Sequence, residues 1–266
     1  MNYTPRRVVA LQPSATVILR DLGKLSALVG CTKYCADVVP EIRNTVAIVA
    51  DSWTAQAKEI AELKPELVIA SVPYQEKAIA EIMKCGARFL GLAPKSLSDI
   101  YADIAAVAGL MDAREEGLRV VQKMIEEIEV VCSRTRELSR QRVFCEEWGK
   151  PLIASQRWVA ELVETAGGTF VAQPGAQISF NDVVEARPDV LIAAWCGAGD
   201  RVPLEKIIQT RNWGQTPAAT NGRVYCIRDE HLNTPAATLI QGLHALAAAI
   251  HPQHFSPCEG LRRIQK

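Results

Sequence analysis

Hydrophobic and polar positions follow the same twelve-residue pattern at two places in the chain. The first copy, EIAELKPELVIA, covers residues 59–70, and the second, DVVEARPDVLIA, covers residues 182–193. Each copy is typical of the end of a helix, a proline that stops it, and a short apolar strand. A repeat at this separation predicts two similar units in one chain.

The chain around the two copies predicts alternating strands and helices. Residues 7–11 form an apolar run that predicts the first strand, and residues 142–148 open the second unit in a similar way. Strands that alternate with helices favour a parallel sheet covered on both faces. Two such units predict a cleft between them, and clefts between domains are where small ligands tend to bind.

A different pattern separates the two copies. Residues 112–141 contain no proline and one glycine, and apolar or small residues recur at steps of three and four. This stretch predicts a helix on the order of 40 Å long, too long for an ordinary crossover. The predicted fold is therefore α/β, with two Rossmann-like α/β lobes joined by a single long rigid helix and a ligand cleft between the lobes. The predicted boundaries are an N-terminal lobe over 1–111, the helix over 112–141, a C-terminal lobe over 142–254 and a tail over 255–266.

Capping residues and prolines refine the ends of these elements. Ser14 or Thr16 is expected to cap the first helix. The last helix is expected over residues 235–250, with Pro235 in its first turn. The chain beyond Pro252 is expected to be loosely held.

Composition excludes several classes of function. The 266 residues carry 30 Lys plus Arg and 30 Asp plus Glu, so the net charge is zero and no basic stripe indicates a nucleic-acid partner. No apolar run reaches the roughly 18 residues of a membrane-spanning helix. The P-loop, the dinucleotide-binding glycine motif and the G-x-S-x-G elbow are missing, and the four histidines lack metal-site spacing. Neither an enzyme nor a resident cofactor or metal is predicted.

The cysteines and the first residues bear on the compartment. Eight cysteines are scattered without zinc-ribbon spacing, which favours buried thiols in a reducing compartment. The chain enters its first strand without the pattern of a signal peptide. Both observations predict a cytoplasmic protein, whereas a trimmed mature chain would be periplasmic, so the compartment stays open.

Candidate ligand-binding residues follow the predicted strand ends, where doubly wound sheets bind ligands. Four of the five tryptophans belong to this group, which favours a broad planar ligand held by stacking. The aromatic candidates are Tyr34, Trp53, Tyr74, Trp148, Trp158 and Trp195. The polar candidates, which would bind polar groups of the ligand, are Ser52, Gln156, Cys196 and Asn233.

Cys196 has three open roles. It is a packed loop thiol, a ligand contact, or a nucleophile with His231 as its base. Because thiolates bind soft transition metals, Cys196 or Cys35 is also a candidate to approach the metal centre of a ligand.

Six stretches of the chain carry a family resemblance. They are RVVALQPSATVILRDLG, LVGCTKYCADVVPE, EIAELKPELVIA, RVFCEEWGKPLIASQRWVAELVETAGG, ARPDVLIAAWCGAG and TPAATLIQGLHALAAAIHPQHF. Over residues 7–254 the chain resembles the vitamin B12-binding proteins of bacterial ABC importers, in the helical-backbone class of substrate-binding proteins. The pieces EEW, RWVAELVETAGG and WCG resemble a branch often found without an export signal.

The resemblance implies a non-catalytic protein that binds cobalamin or another corrinoid between two lobes, for uptake or intracellular handling. An ABC permease is the partner that it implies. The aromatic contacts that it points to are Trp53, Tyr74, Trp148, Trp158 and Trp195.

Importer-linked members of this class carry one surface Glu on each lobe, which meets arginines of the membrane partner. Glu76 lies near the first of these positions. Residues 231–235 at the second position contain no acid, and Glu230 is only nearby. This departure puts docking to a transporter in question.

Two other functions stay open. The same architecture binds ferric siderophores or haem, but an anionic siderophore calls for basic residues, and the loops offer only Arg157 and Arg201. That scarcity favours a ligand of low charge. The second alternative is a cytoplasmic thiol-dependent corrinoid-handling enzyme that uses Cys196 and His231.

Overall fold

The computed structural model describes residues 3–71 and 76–265. The chain divides into two compact units that meet in sequence between Lys123 and Met124, inside one long helix. Each unit has its own sheet.

Within its described residues the N-terminal unit contains five strands and, before the long helix, five α-helices. The strands are β1 (Val8–Ala10), β2 (Leu28–Thr32), β3 (Ala47–Val49), β4 (Leu67–Ser71) and β5 (Arg88–Leu92). The helices are α1 (Pro13–Asp21), α2 (Lys33–Val38), α3 (Ala57–Glu62), α4 (Glu76–Met83) and α5 (Leu97–Leu110).

The N-terminal sheet is parallel, with strand order β3-β2-β1-β4-β5. Val8, Val9 and Ala10 of β1 are fully buried, as expected for a central strand covered on both faces. The order reverses direction between β1 and β4. Open α/β sheets bind ligands beyond the carboxyl ends of the strands at such a point.

Helix α6 (Arg114–Thr135) follows α5 and carries the sequence boundary between the units. Its 22 residues correspond to about 33 Å. The helix is shorter than the predicted 112–141 because Leu138 N–H bonds the Thr135 carbonyl in a turn and the next strand starts at Gln141. Met124 and Val131 of this helix are buried.

The C-terminal unit contains the remaining elements. Its strands are β6 (Gln141–Gly149), β7 (Leu152–Ala154), β8 (Gly168–Phe170), β9 (Val190–Ala193), β10 (Val224–Ile227) and β11 (Leu261–Arg263). Its helices are α7 (Arg157–Thr165), α8 (Phe180–Glu185), α9 (Leu204–Thr210), α10 (Pro217–Thr220) and α11 (Leu239–Ile250).

The C-terminal sheet is mixed and not parallel throughout. Its order is β11-β10-β9-β6-β7, and β8 also pairs with the first residues of β6. A two-residue connection after Gly149 turns β7 back against β6 in antiparallel pairing. Such a hairpin leaves no room for the crossover that a parallel neighbour needs.

The prediction of a loosely held tail is wrong. Strand β11 pairs antiparallel with β10, and Ile264 N–H bonds the Val224 carbonyl at 2.8 Å. Arg262 also donates from Nε to the Asp200 carbonyl at 3.0 Å. Strand β11 thus supplies the edge of the C-terminal sheet.

Two predicted helix starts are also wrong. The N-cap of α1 is Gln12, whose side chain makes no cap bond, and Ser14 and Thr16 lie inside the helix after Pro13. Proline at the first helical position has a preset φ and needs no N–H, so the start moves upstream of both hydroxyls. Helix α11 begins at Leu239, and Pro235 lies before it.

The twelve-residue repeat forms the same structure in both units, which confirms the predicted pair of related α/β units. In each copy a helix ends, a basic residue adopts left-handed backbone before the proline, and a strand begins beside the first strand of its unit. The basic residues are Lys64, with φ of 48°, and Arg187, with φ of 44°.

In each unit, an arginine at the start of the first strand binds this turn and holds it against the sheet. Arg7 donates from Nη2 to the Leu63 carbonyl at 2.6 Å, and Arg142 donates from Nε to the Ala186 carbonyl at 2.9 Å. The acid that follows each proline accepts a backbone N–H near the start of the first strand of its unit. Glu66 accepts from Arg6, just before β1, and Asp189 accepts from Arg142 in β6. The polar positions of the repeat therefore close the turn.

Among the described residues, no helix combines the length and apolarity that a bilayer crossing requires.

Candidate functional site

Strands β6 and β9 of the C-terminal unit are parallel neighbours, and Ala193, the last residue of β9, lies opposite Glu146 in the second half of β6. Backbone bonds continue the pairing beyond the sheet, because Ala194 N–H bonds the Glu146 carbonyl and Cys196 N–H bonds the Glu147 carbonyl. The side chains of the last residues of β6 and of the loop after β9 are therefore brought together at the carboxyl edge. Ligands bind at this edge in open α/β sheets.

Four side chains form a continuous polar chain at this edge. Gln156 Nε2 donates to Glu147 Oε2 at 2.7 Å, and the Cys196 thiol lies 3.9 Å from Glu147 Oε1. Asn233 Nδ2 donates to Cys196 Sγ at 3.4 Å and to the Ala194 carbonyl at 2.7 Å. We call these four residues, Gln156, Glu147, Cys196 and Asn233, the polar chain.

Glu147 is a half-buried carboxyl without a cationic partner. Over residues 3–71 and 76–265, no Lys or Arg forms an ion pair with it. Desolvation raises the pKa of Glu147, and the bonds from Gln156 and Cys196 offset that rise in part. The polar chain therefore contains a carboxyl whose charge is poorly compensated.

The Cys196 thiol stays protonated at neutral pH. Although residue 196 is exposed overall, the sulfur lies against Glu147 and Asn233. Desolvation raises the pKa of Cys196, and the carboxylates of Glu147 and Asp229 raise it further. Because the thiolate is the form that attacks electrophiles and binds metals, this environment suppresses both roles.

The pairing of Cys196 with His231 is not formed. No hydrogen bond joins them among the described residues, and the buried Nδ1 of His231 has no partner there. Burial lowers the pKa of His231. The thiol instead contacts an acid and an amide, so this geometry does not assemble a thiol–imidazole pair.

Asp229 holds the loop that carries Cys196. Its carboxylate accepts the N–H groups of Gly197 and Gly199, each at 2.7 Å. Both glycines have left-handed backbone, with φ of 77° and 59°. Only glycine adopts this conformation without steric cost, so the two glycines allow the WCGAGD segment to form a turn that Asp229 holds in place.

The three tryptophans predicted in this unit differ in exposure. Trp148 is 44% exposed, and its Nε1 donates to the Lys150 carbonyl. Trp158 is half-buried, and its Nε1 bonds the Leu232 carbonyl at 2.9 Å. Trp195 is half-buried over Gly149. Of the three, Trp148 offers the most ring surface to solvent.

Trp195 also lies near the carboxyl of Glu146. Neither Trp195 Nε1 nor Glu146 Oε1 has a hydrogen-bond partner of ordinary geometry among the described residues, yet the indole is near enough to lower the pKa of that carboxyl slightly. Desolvation outweighs this effect and raises the pKa of Glu146. The Trp195 ring therefore has its Nε1 edge buried inside the C-terminal unit, while the residue as a whole is half-buried.

The predicted residues of the N-terminal unit fall into two groups. Tyr34 and Trp53 are 45% and 51% exposed. Ser52 is 2% exposed and its hydroxyl bonds the Leu11 carbonyl at 2.9 Å, so it ties a loop to the end of β1. Tyr74 lies outside the described residues.

Cys35 is buried near the end of β1. Its Sγ is 3.6 Å from the Ala10 carbonyl, and the Thr32 hydroxyl is 3.2 Å from the sulfur. Burial raises the pKa of Cys35. This is the packed-thiol role, and the environment disfavours metal binding.

The two docking positions also differ. Glu76 is the exposed first residue of α4. Glu230 forms an ion pair with Arg228 and its side chain is 15% exposed. Glu230 is therefore occupied within its own unit.

Sequence reasoning placed Glu147 at a predicted strand end without selecting it for ligand binding, and it missed Asp229 and Gln12. In the structure Glu147 lies within β6, and its neighbours across the edge are Gln156 and Cys196. No sequence signal marked Asp229 or Gln12. Asp229 matters because it bonds two glycine N–H groups, and Gln12 because its buried Nε2 has no partner among the described residues. No group of three or more His, Cys, Asp or Glu side chains suited to a metal ion occurs in the described part of the chain.

Comparison with known proteins shows the family of this chain. The model of the periplasmic binding protein family matches residues 8–231. The ABC transporter substrate-binding lipoprotein YvrC of Bacillus subtilis is 24% identical, with 94% of this chain and 82% of that protein covered. A cobalamin-binding protein of Halobacterium salinarum is 21% identical, with 94% and 71% covered.

A solved structure shares the fold. The periplasmic haem-binding protein RhuT of Roseiflexus sp. RS-1, in its apo form, aligns with a TM-score of 0.81 at 22% identity, over 93% of this chain and 98% of that one. At this identity the likeness concerns the fold. With a family match over most of its length and two α/β units of the expected kind, the chain belongs to the periplasmic binding protein family of substrate-binding proteins.

Proposed function

We propose that this protein binds a corrinoid, cobalamin or a close relative, and holds it without chemical change. The observation that carries the proposal is the polar chain at the carboxyl edge of β6 and β9, in which two amides and a protonated thiol surround one carboxyl. Within the described residues no Lys or Arg pairs with that carboxyl, and the exposed indole of Trp148 lies on the next residue of β6. The cobalamin-binding relative from Halobacterium salinarum supports the same ligand class.

The charges around this edge favour a ligand of low charge. Arg157 is paired with Glu161 at 3.1 Å, and Arg201 donates to the Ala198 carbonyl at 3.2 Å. Both predicted basic loop residues are thus engaged locally. A ferric siderophore or haem carries carboxylates or other anionic groups that would find little compensation here.

The protein would act as a carrier of its ligand. The raised pKa of Cys196, whose thiol contacts the Glu147 carboxyl and the Asn233 amide and no imidazole among the described residues, argues against thiol catalysis. Transfer to an ABC permease is the expected role within this family, and Glu76 is the candidate contact on the N-terminal unit. Because Glu230 is bound to Arg228, docking through the C-terminal unit would need another residue.

A titration tests the proposal. Purified protein is titrated with cyanocobalamin, hydroxocobalamin and haemin, followed by calorimetry and visible absorbance. One-to-one binding of both cobalamins, with unchanged corrin absorbance, is expected. Binding of haemin alone would replace the corrinoid by the haem alternative.

A further inference from the structure

The amide of Asn233 has a fixed orientation. Its Nδ2 donates to the Ala194 carbonyl at 2.7 Å, and a carbonyl oxygen can only accept. The other end of the amide, Oδ1, is buried and has no partner within the described residues. The Asn233 amide is therefore held in one orientation, with its oxygen enclosed in the unit and its N–H group directed at Ala194 and Cys196.

The amide of Gln156 is oriented in the same sense. Its Nε2 donates to Glu147 Oε2 at 2.7 Å, which leaves Oε1 as the free atom. Gly175 approaches Oε1 so closely that a Cβ there would lie 3.0 Å away. This packing limits rotation of the Gln156 amide.

Glu147 adds carboxylate oxygens between the two amides. Cys196, the fourth member of the polar chain, directs its thiol hydrogen at Glu147 Oε1, and the carboxylate of Asp229 is taken up by two glycine N–H groups. Within the described residues, the atoms of the polar chain that remain for a ligand are Gln156 Oε1 and the Glu147 oxygens, and all of them are acceptors.

We propose that the polar chain is a selectivity element that accepts ligand N–H donors and rejects carboxylates. Primary carboxamides, which surround a corrin ring, supply such donors, whereas the propionates of haem supply more acceptors. A carboxylate placed here would face Glu147 and leave the Gln156 oxygen without a donor. The inference rests on the proposed corrinoid function and specifies that the protein recognises the carboxamide groups of the ligand.

The test compares ligands that differ by one group. The monocarboxylate derivatives of cyanocobalamin, in which one carboxamide is replaced by a carboxylate, are separated and titrated individually by calorimetry at pH 7.5. For at least one isomer we expect binding weaker than that of cyanocobalamin by tenfold or more, which corresponds to about 1.4 kcal/mol.

Variants identify the residues responsible. Glu147→Gln keeps the shape and removes the charge, so the ratio between the two ligands should fall toward one for that isomer. Gln156→Leu removes a free acceptor and should weaken cyanocobalamin binding several-fold. Glu137→Gln, which neutralises an exposed acid elsewhere in the same unit, should leave both affinities unchanged.

The outcomes separate the inference from the proposed function. Equal binding of cyanocobalamin and every monocarboxylate, or a ratio that Glu147→Gln does not alter, overturns the inference and leaves corrinoid binding intact. Tight binding of haemin with no binding of any corrinoid overturns both.

Discussion

Arg211 and Glu146 form an ion pair inside the C-terminal unit, with Nη1 of Arg211 2.7 Å from Oε2 of Glu146 and side-chain exposures of 6% and 2%. The guanidinium also lies over the rings of Phe180 and Trp213, at 5.0 and 4.8 Å from their centres. The pair thus holds β6 in place at the residue directly before Glu147.

Removing the arginine should strongly destabilise the protein. Arg211→Met leaves Glu146 buried without its partner, and we expect a loss of about 3–5 kcal/mol in the free energy of unfolding measured by urea denaturation. Arg157→Met breaks an exposed pair and should cost less than about 1 kcal/mol. Similar losses in the two variants would contradict this account.

The Arg211→Met deficit should depend on pH. Desolvation raises the pKa of Glu146 above the usual value of a glutamate, and the bond to Arg211 offsets part of that rise. Since the folded-state pKa lies above the unfolded one, the contribution of Glu146 to stability is full below the unfolded pKa and is lost as pH rises through the folded pKa. Without Arg211 the folded pKa rises further, so the deficit should be smaller at pH 5 than at pH 8. Urea titrations at both values check this, and a deficit that grows on acidification would refute it.

Gly149→Ala should displace Trp195. A Cβ at Gly149 would lie 2.7 Å from Cζ2 of the indole, so the ring must shift. We expect a loss of about 1–3 kcal/mol in stability, with a shifted tryptophan emission. Gly214→Ala is the control, because a Cβ there meets nothing within 4 Å. An unaltered emission spectrum in Gly149→Ala would show that the ring is not confined.

Trp148→Ala should weaken corrinoid binding by roughly tenfold or more while changing stability by less than about 1 kcal/mol, because the ring is 44% exposed. Trp53→Ala, at a ring 51% exposed, should behave alike. Calorimetry with cyanocobalamin and urea denaturation measure the two effects. Trp213→Phe provides the contrast, since that ring is 2% exposed and its loss should lower stability. Wild-type affinity in both exposed variants would remove these rings from the ligand site.

Cys196 should react slowly with iodoacetamide at pH 7.5. Its raised pKa keeps the thiol protonated, and the thiolate is the reactive species. Cys132, an exposed thiol on α6, should be alkylated first. Mass spectrometry of peptides over a time course compares the two residues. Faster modification of Cys196 would revive its role as a nucleophile or metal ligand.

The repeated turn was readable from sequence because its cause is local. A proline after a basic residue stops α3 and α8 in the same way, and the strand that follows is apolar. The sequence predicted only part of the polar chain. Gln156, Cys196 and Asn233 followed predicted strand ends, but Glu147 gains its role from desolvation and from neighbours that the fold brings together. The β11 pairing likewise depends on contacts with residues almost forty positions earlier, which no local pattern encodes.

Lys64 and Arg187 occupy the same left-handed position in the two copies of the turn, so the same substitution can be made and compared in each unit. Replacing either by glycine relieves the same steric cost, on the order of 1 kcal/mol, in one unit while the other is untouched. If the units unfold separately, each substitution should raise only one of two transitions. If they unfold together, both substitutions should move a single transition equally. The duplicated turn therefore reports on whether this protein melts as one cooperative body or as two.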